Sequence, residues 1–346
     1  MARTAIISVD GHVRASRSDY RHYVEQQYLD VYDEWVRRQE EDGIRESGNL
    51  SPGLDVTSQW DSDLRVKDLE SQGVVAEVLF PNGLPLQTQP FDDVGQAVDD
   101  LHWAKEHGLA GMMMPALLPG DTFFFDPVLD PIWAACQELD LPISQHGGSG
   151  APAYRPAGFA AIMTLAYEHS FFSGRSLWQM ILGGVFERFP DLRMAFVETE
   201  GDWIASAIRK LDKRLGWGDD WTGWAAILQR QRAFSRRARD YWADNCYSGI
   251  SPFTDDQVPL EELARPSAEY EVFAIGCDNA MFGVDYPHFE SIFPDTKASV
   301  DALVAHPSIT GDVAAKIMCG TAARVYGFDL ERLQADADRV GFDIER

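Results

Sequence analysis

Long apolar runs are missing from this sequence of 346 residues. No stretch approaches the roughly twenty apolar residues that a membrane-spanning helix needs. The opening MARTAIISVDGH also lacks the cationic flank, the long apolar segment and the small-residue cleavage site of a secretion signal. We therefore expect a soluble, cytoplasmic protein that does not associate with membranes.

Cysteine is scarce, with four residues that lie far apart and form no C-x-x-C pair. This density excludes a disulfide-stapled fold and a thiolate zinc site of the usual spacing. We expect buried, reduced thiols. The four are Cys136, Cys246, Cys277 and Cys319.

Positively charged residues are few, because the sequence has 30 lysines and arginines but 55 aspartates and glutamates, which gives a net charge of -25. Nucleic-acid binding requires clustered cations that neutralise phosphates, so this balance argues against it. The acids are scattered rather than arranged in a block, which indicates a solvated acidic surface. No repeat or low-complexity segment suggests a solenoid or a disordered linker.

What the sequence does contain is a series of short apolar runs, each ending in a polar residue and followed by a helical pattern. This alternation predicts an α/β fold, a (β/α)8 TIM-like barrel that occupies residues 1–346 as one domain. The clearest predicted strands are Ala5–Val9, Val74–Phe80, Met112–Leu118, Pro142–Gln145, Met194–Val197 and Ala280–Val284. The clearest predicted helices are Asp130–Leu139, Ser176–Phe189, Asp202–Leu215 and Thr296–Val304.

Two segments depart from a regular barrel. Residues 16–63 are polar, dotted with aromatics and without clear strands, which predicts a helical insertion after strand 1 that covers the barrel mouth. Only 28 residues separate Asn82 from Gly111, where two units of about 30 residues each are expected. Either one βα unit is incomplete, or the sequence omits a stretch around residues 85–91.

Ligand-type side chains stand at the ends of several predicted strands. Asp10 and His12 point the same way because alternate strand residues share a face. His146 ends the PISQHGG run and Asp285 ends AMFGVDYPH. Each alone is compatible with a turn aspartate or a core histidine, but four together at the face where barrel active sites lie point to a metal centre.

The chain resembles the amidohydrolase-related family of TIM-barrel metal-dependent hydrolases and decarboxylases. The segments that carry the resemblance are SVDGH at 8–12, DPIWAACQELDLPISQHGG at 130–148, LGGVFERFPDLRMAFVETEGDWI at 182–204, FGVDYPH at 282–288 and CGTAARVYGFD at 319–329. The resemblance implies metal ligation by Asp10, His12, His146 and Asp285, and a homodimer. A mixed nitrogen and oxygen ligand set suits Zn²⁺, Mn²⁺ or Fe²⁺.

Glu198 departs from the family pattern, since many relatives have a histidine acid or base at the end of this strand. A buried glutamate can do the same proton transfer if its pKa rises towards neutrality. With His169 it can instead complete a second metal site, which would give two metal ions. A packed helix histidine is an equally weighted interpretation of His169. We assign catalytic roles to Glu198, His169 and Asp285.

Three further residues are candidates for supporting the site. Glu77 lies inside a predicted strand, where it needs a polar partner and can orient a ligand histidine. His288 is predicted either to hold Asp285, to touch substrate or to pack in the turn after Pro287. Arg155 is predicted to bind a substrate carboxylate or to pair with a surface acid.

These residues leave three functions open. The first is a metal-dependent hydrolase or non-oxidative decarboxylase acting on a small carboxylic or cyclic molecule. The second is a dinuclear non-haem iron or mixed-metal monooxygenase, which would need an electron-transfer partner. The third is an inactive barrel that serves as a subunit of a larger complex.

Overall fold

The structure is a computed structural model that describes residues 3–41, 50–82, 93–118, 122–150, 158–215, 235–251 and 257–344. These residues form seven strands, and every ladder between them is parallel. The strands are β1 (Ile6–Val13), β2 (Val74–Pro81), β3 (Met112–Met114), β4 (Ile143–His146), β5 (Met194–Val197), β6 (Cys246–Ile250) and β7 (Ala280–Phe282).

The strands follow one another in an order typical of a barrel. One sheet runs β3-β4-β5-β6-β7, and a second pairs β1 with β2. The two sheets meet where Gly11 bridges Tyr286 in parallel, and the amide of Asp285 donates to the carbonyl of Asp10 at 2.8 Å. This junction brings the ends of β1 and β7 together, so Asp10 and Asp285 are neighbours although they are distant in sequence.

The gap in this order lies between β2 and β3. Across the described residues there are seven strands rather than eight, and only one helix separates β2 from β3. This is the interval for which either one incomplete βα unit or an omitted stretch of sequence was predicted. Residues 85–91, on which the alternative explanation depended, lie outside the described part of the chain.

Helices surround the strands. They are α1 (Arg17–Tyr20), α2 (Leu29–Glu41), α3 (Ser62–Ser71), α4 (Val94–Glu106), α5 (Asp130–Glu138), α6 (Phe159–Leu182), α7 (Val185–Arg188), α8 (Asp202–Leu215), α9 (Ala238–Asn245), α10 (Thr296–Ala305), α11 (Gly311–Ala315), α12 (Thr321–Tyr326) and α13 (Leu330–Val340). A π-helical turn, Lys316–Gly320, joins α11 to α12. None of the helices in the described ranges is long and apolar enough to cross a membrane.

The segment after β1, predicted as a helical insertion over residues 16–63, contains helices together with turns and extended residues where it is described. It contains α1, α2 and the 3-10 turns Arg21–Tyr23 and Gln26–Tyr28. It then returns to the mouth of the barrel, where Leu50 bridges His288 and the amide of Ser51 donates to the carbonyl of Pro287 at 2.9 Å. The insertion is therefore anchored to the loop that follows β7.

Apolar packing lies on both sides of the strands. The barrel interior is filled by small and branched side chains such as Ile7, Val9, Ala195 and Val197. A larger cluster between the strands and the helices includes Trp133, Trp242 and Phe186, which are fully buried. The four cysteines are buried, as predicted. These two apolar clusters pack on both sides of the strands and hold the strand ends in place. A polar cluster lies at those strand ends.

Candidate metal centre

Strand β1 supplies the first two side chains of the site. Asp10 and His12 share the inward face of the strand and are 1% and 4% exposed. The Ser8 hydroxyl donates to the Asp10 carbonyl at 2.7 Å and accepts from the Val284 amide at 3.0 Å. Ser8 thus links β1 to the segment after β7 directly beneath these side chains.

A first cluster forms where β1, β4 and β5 end. Asp10, His12, His146 and Glu198 each offer one ligand atom, and these atoms lie within 4.8 Å of one another. His146 Nε2 is 3.2 Å from Asp10 Oδ1, and His12 Nε2 is 3.5 Å from the same oxygen. Three of the four predicted ligands therefore meet beside Glu198.

A second cluster overlaps the first and contains the fourth predicted ligand. It comprises His12, Glu198, Asp285 and His288. Asp285 Oδ1 lies 3.2 Å from His12 Nε2 and 2.8 Å from His288 Nδ1. The rings of His12 and His288 stack with centroids 4.0 Å apart. His288 therefore contacts both the carboxylate and the imidazole of two predicted ligands.

Asn82, at the end of β2, fixes the ring of His288. Its amide nitrogen lies 3.0 Å from His288 Nε2. With Nε2 accepting from this amide, the ring proton resides on Nδ1, which lies 2.8 Å from Asp285 Oδ1 without the geometry of a normal hydrogen bond. Such a partner orients a ligand carboxylate and is typical of the groups that surround a metal centre.

The spacing within the two clusters suits a metal ion. Two atoms bound to one ion at about 2.0–2.2 Å, with bond angles between octahedral and tetrahedral, lie roughly 2.8–3.6 Å apart. The separations are 3.2 Å, 3.2 Å and 3.5 Å for the three pairs that join Asp10 or Asp285 to His12 or His146, and all three fall in this range.

Several of these atoms are also unpaired. Within the described residues, Asp10 Oδ2, Asp285 Oδ1 and both ring nitrogens of His12 are buried without a hydrogen bond of normal geometry. Buried polar atoms without partners are costly and usually mark a missing ion or ligand. The residues present thus fit a divalent cation held by nitrogen and oxygen donors.

Charge interactions within the cluster are strong. Burial alone would lower the pKa of His12, but the nearby carboxylates of Asp10 and Asp285 outweigh it and raise the pKa to about 9. Burial alone would raise the pKa of Asp10, but His12 and His146 hold it well below its usual range. The cluster therefore pairs ionised carboxylates with imidazoles that attract protons or cations.

Glu198 stands at the edge of the cluster. Its side chain is 31% exposed, and Oε2 lies 3.3 Å from His146 Nδ1 and 3.8 Å from His12 Nε2. Burial raises the pKa of Glu198 well above its usual range, and the charges of Asp10 and Asp285 add to this, while His146 opposes it. Glu198 is thus the most exposed side chain of the two clusters.

The backbone at two of these acids is strained. Glu198 has φ of 52° and Asp285 has φ of 61°, both in the left-handed region that non-glycine residues rarely adopt. Glu198 directly follows β5, and Asp285 lies three residues after the end of β7. Such conformations cost on the order of 1–3 kcal/mol and persist where the surrounding structure enforces them, often at functional sites.

Gly147 permits the strand ends to approach closely. Its amide donates to the carbonyl of Val197 at 2.9 Å, and a Cβ atom at this position would overlap the carbonyl oxygen of Glu198. Only glycine fits there without displacing the chain. The spacing between His146 and Glu198 therefore depends on Gly147.

A buried ion pair lies on the other face of β1. Arg65 Nε donates to Glu77 Oε2 at 2.7 Å, and both side chains are almost fully buried. The remaining guanidinium nitrogens donate to the carbonyls of His12 at 2.7 Å and Tyr286 at 3.3 Å. Arg65 therefore connects the backbone of one ligand to the residue beside Asp285, and Glu77 supplies its counter-charge.

We expect Glu77→Ala to lower the free energy of unfolding by about 3 kcal/mol, because it leaves the Arg65 charge buried without its carboxylate. Denaturant titration measures this loss. Glu77→Gln is the matched control, since it keeps the size and a hydrogen-bond acceptor and should cost less. A loss below about 1 kcal/mol for the alanine variant would contradict this role for the pair.

The other predicted residues lie as follows. His169 on α6 places its ring beside Gly147, but no nitrogen of this ring belongs to either cluster, and Nδ1 lies 2.6 Å from the carbonyl of Ala166. Arg155 lies outside the described residues. Glu77 contacts Arg65 rather than a ligand histidine. Arg65 and Asn82 were not identified from the sequence, although Asn82 lies two residues after the predicted strand Val74–Phe80.

Comparison with known proteins places this chain in a family. A sequence model described as Amidohydrolase matches residues 85–328. A comparison with curated protein sequences finds no match.

Three solved structures share the fold. An amidohydrolase from Mycobacterium avium subsp. paratuberculosis K-10 is 17% identical with a TM-score of 0.68, covering 95% of this chain and 99% of its own. A 2,6-dihydroxybenzoate decarboxylase from Rhizobium is 16% identical with a TM-score of 0.61, covering 94% and 99%. A 5-carboxyvanillate decarboxylase from Novosphingobium aromaticivorans DSM 12444, complexed with manganese, has the same identity and TM-score, covering 94% and 96%.

These likenesses show the fold, a (β/α) barrel, and confirm the predicted fold class. The family match covers well over half of the sequence and includes β3 to β7 with the ligand-type residues His146, Glu198 and Asp285. The chain belongs to the amidohydrolase family.

Proposed function

We propose that this protein is a metal-dependent hydrolase or non-oxidative decarboxylase that acts on a small carboxylic or cyclic molecule. The observation that supports it best is the group of buried, unpaired carboxylate and imidazole atoms at the strand ends, with Glu198, whose side chain is 31% exposed, beside them. Buried ligands and an accessible acid are the two parts that metal-assisted proton transfer needs.

The donors would be Asp10, His12, His146 and Asp285, held by the contacts described above. A divalent ion bound there would polarise a substrate carboxylate or carbonyl oxygen, or lower the pKa of water. Zn²⁺, Mn²⁺ and Fe²⁺ all suit such a mixed set, and manganese is present in the Novosphingobium decarboxylase.

Glu198 is the proposed proton-transfer residue. Because burial raises its pKa, it holds a proton more readily than an ordinary glutamate and can deliver it to a substrate atom. In a decarboxylation, that proton would go to the carbon that loses CO₂. In a hydrolysis, Glu198 in its ionised form would take a proton from water. Similarity to two decarboxylases of aromatic acids supports the first reaction.

The test begins with metal content. Protein purified without chelator should contain close to one equivalent of metal, and chelation should lower its melting temperature, because an ion that binds only the folded state stabilises it. Loaded protein is then supplied with aromatic and cyclic carboxylic acids, with CO₂ release measured, and with amides, esters and lactones. Metal-dependent turnover in either set supports the proposal.

Glu198→Gln separates proton transfer from metal binding. We expect it to keep its metal while activity falls about 10²–10⁴-fold, the usual contribution of a general acid or base. Glutamine has the same size and cannot exchange a proton. Loss of metal together with activity would instead make Glu198 a ligand, and full activity would remove it from the mechanism.

One observation favours a second candidate function. The carboxylate of Glu198 and the ring of His12 belong to both clusters, and a shared carboxylate is suited to bridging two ions. The alternative is a dinuclear monooxygenase with His169 near the second ion and an electron-transfer partner. Two equivalents of metal including iron, with O₂ uptake in the presence of a reductant, would establish it. If the purified protein contains no metal and chelation does not change its stability, the inactive barrel that serves as a subunit of a larger complex would be the remaining function.

A further inference from the structure

Two residues of the insertion, Leu50 and Ser51, hold the loop that follows β7. Leu50 forms an antiparallel bridge with His288, and the amide of Ser51 donates to the carbonyl of Pro287 at 2.9 Å. The hydroxyl of Ser51 donates to the carbonyl of His288, and Ser51 is 6% exposed. Two consecutive carbonyls of the loop therefore bind the same buried residue. We call Leu50 and Ser51 the insertion anchor.

The insertion anchor is itself fixed to the barrel. The amide of Leu54 donates to the carbonyl of Ser51 at 3.1 Å, and Leu54 packs against the larger apolar cluster. A 3-10 turn, Val56–Gln59, follows, and the carbonyl at its end accepts from the amide of Arg14 at 3.2 Å. Because these contacts set the position of the anchor, the anchor can impose a position on the loop.

The loop receives such contacts at three consecutive carbonyls. The carbonyl of Tyr286 accepts from a guanidinium nitrogen of Arg65 at 3.3 Å and from the amide of His12 at 2.7 Å. The next two carbonyls, of Pro287 and His288, accept from Ser51. Residues between β1 and β2 thus hold the backbone of the loop directly after the predicted ligand Asp285.

The side chain of His288 extends from this backbone into the metal centre. Its Nδ1 lies 2.8 Å from Asp285 Oδ1, and its Nε2 lies 3.0 Å from the amide nitrogen of Asn82. Its ring stacks on that of His12 with centroids 4.0 Å apart. Since the backbone and the ring are both held, a shift of the backbone would move Nδ1 relative to the carboxylate of Asp285.

We propose that Ser51 is a positioning residue of the metal centre. It holds the backbone of His288, His288 holds the carboxylate of Asp285, and metal affinity depends on this chain of contacts. The inference rests on the proposed function, because it takes Asp285 as a metal ligand. Coupling between two sites is reciprocal, so a metal bound at the centre would stabilise the insertion anchor in return.

Titration of chelator-stripped protein with Zn²⁺ tests the first contact of this chain, since mixed nitrogen and oxygen donors suit that ion. Ser51→Ala removes the hydroxyl that binds His288. We expect it to weaken Zn²⁺ binding about 2–30-fold, the range for residues that couple sites without touching the ligand. A loss of affinity below about twofold would overturn the role of Ser51.

Ser267→Ala is the matched control for this titration. Ser267 is also 6% exposed, and its hydroxyl donates to the carbonyl of Ala274 at 2.8 Å in the segment before β7. Both variants lose one buried hydrogen bond between a hydroxyl and a carbonyl, so they should lose similar stability. Only the Ser51 variant should lose Zn²⁺ affinity.

Two substitutions of His288 test the second contact. Asparagine can place an amide nitrogen where Nδ1 lies, beside Asp285, whereas alanine leaves the carboxylate without this partner. We expect His288→Ala to weaken Zn²⁺ binding about 10–100-fold, as is usual for residues behind a ligand, and His288→Asn to weaken it less. Equal losses in the two variants would show that only the packing of the ring matters, which would overturn the proposed chain.

Hydrogen exchange measures the coupling in the other direction. Saturating Zn²⁺ should slow exchange of the Ser51 amide in the wild type, and His288→Ala should abolish this slowing even when it is saturated with Zn²⁺. The amide of Thr4, which donates to the carbonyl of Phe342 at 2.7 Å before β1, is the reference and should not respond.

The outcomes separate this inference from the proposed function. A wild-type protein that does not bind Zn²⁺ would overturn both. If the wild type binds Zn²⁺ but Ser51→Ala binds it equally well, or if Zn²⁺ slows exchange equally at Ser51 and Thr4, the inference is wrong and the proposed function stands.

Discussion

Replacing Asp285 by alanine is expected to abolish metal binding and activity together. Its carboxylate contacts both His12 and His288, and its amide holds the carbonyl of Asp10, so it links two sides of the centre. Loss of a ligand should weaken metal affinity by on the order of a hundredfold or more, since even the residues behind ligands contribute 10–100-fold. Metal titration followed by calorimetry measures this directly.

Asp285→Asn is the control that separates charge from backbone. Asparagine tolerates the left-handed conformation that Asp285 adopts, whereas alanine adds about 1–2 kcal/mol of strain. Both variants should lose the metal, but the asparagine variant should be the more stable of the two. If either variant stays fully metallated and active, Asp285 is not a ligand.

Gly147→Ala is expected to have the second-largest effect, although it adds only one methyl group. The new carbon would overlap the Glu198 carbonyl and push the end of β5 away from β4. A displacement of about 1 Å at a catalytic group can reduce activity on the order of a hundredfold. Overpacking of this kind also costs about 1–3 kcal/mol of stability. Steady-state kinetics and denaturant titration give the two quantities.

Gly148→Ala is the matched neighbour. Gly148 has φ of 73°, so alanine is strained there, but no atom lies within 4 Å of the added carbon. We expect a modest loss of stability and nearly full activity. Equal activity losses in the two variants would show that the loop is generally sensitive, and that close packing at Glu198 is not the cause.

The positions of the ligand-type residues were predictable because their signals are local. Apolar runs lead into Asp10, His146 and Asp285, and the barrel topology brings these residues, which lie in or near the carboxyl ends of strands, to one face. Strand β5 and helix α8 coincide with their predicted ranges. Strand β1 runs four residues beyond the predicted Ala5–Val9, because its pairing with β2 continues through His12 to Val13.

Other features depend on contacts that are distant in sequence. Strand β6 was not predicted, since CYSGI is short and contains a glycine that fits beside Val9. Helix α6 was predicted as Ser176–Phe189 but spans Phe159–Leu182. It ends before Gly184, whose φ of 67° separates it from α7. The role of Arg65 depends on carbonyls from two remote segments, and a helical arginine gives no local sign of this.

The left-handed backbone at Glu198 and Asp285 has a consequence for how this protein can change. Glycine at position 198 and asparagine or glycine at position 285 would relieve strain, so selection for heat tolerance alone would favour them. Each such change would remove a carboxylate from the centre. Variants of this barrel that become more stable and keep their activity should therefore carry their stabilising substitutions at other positions. Glycine at these two positions would indicate that a related protein has lost catalytic activity.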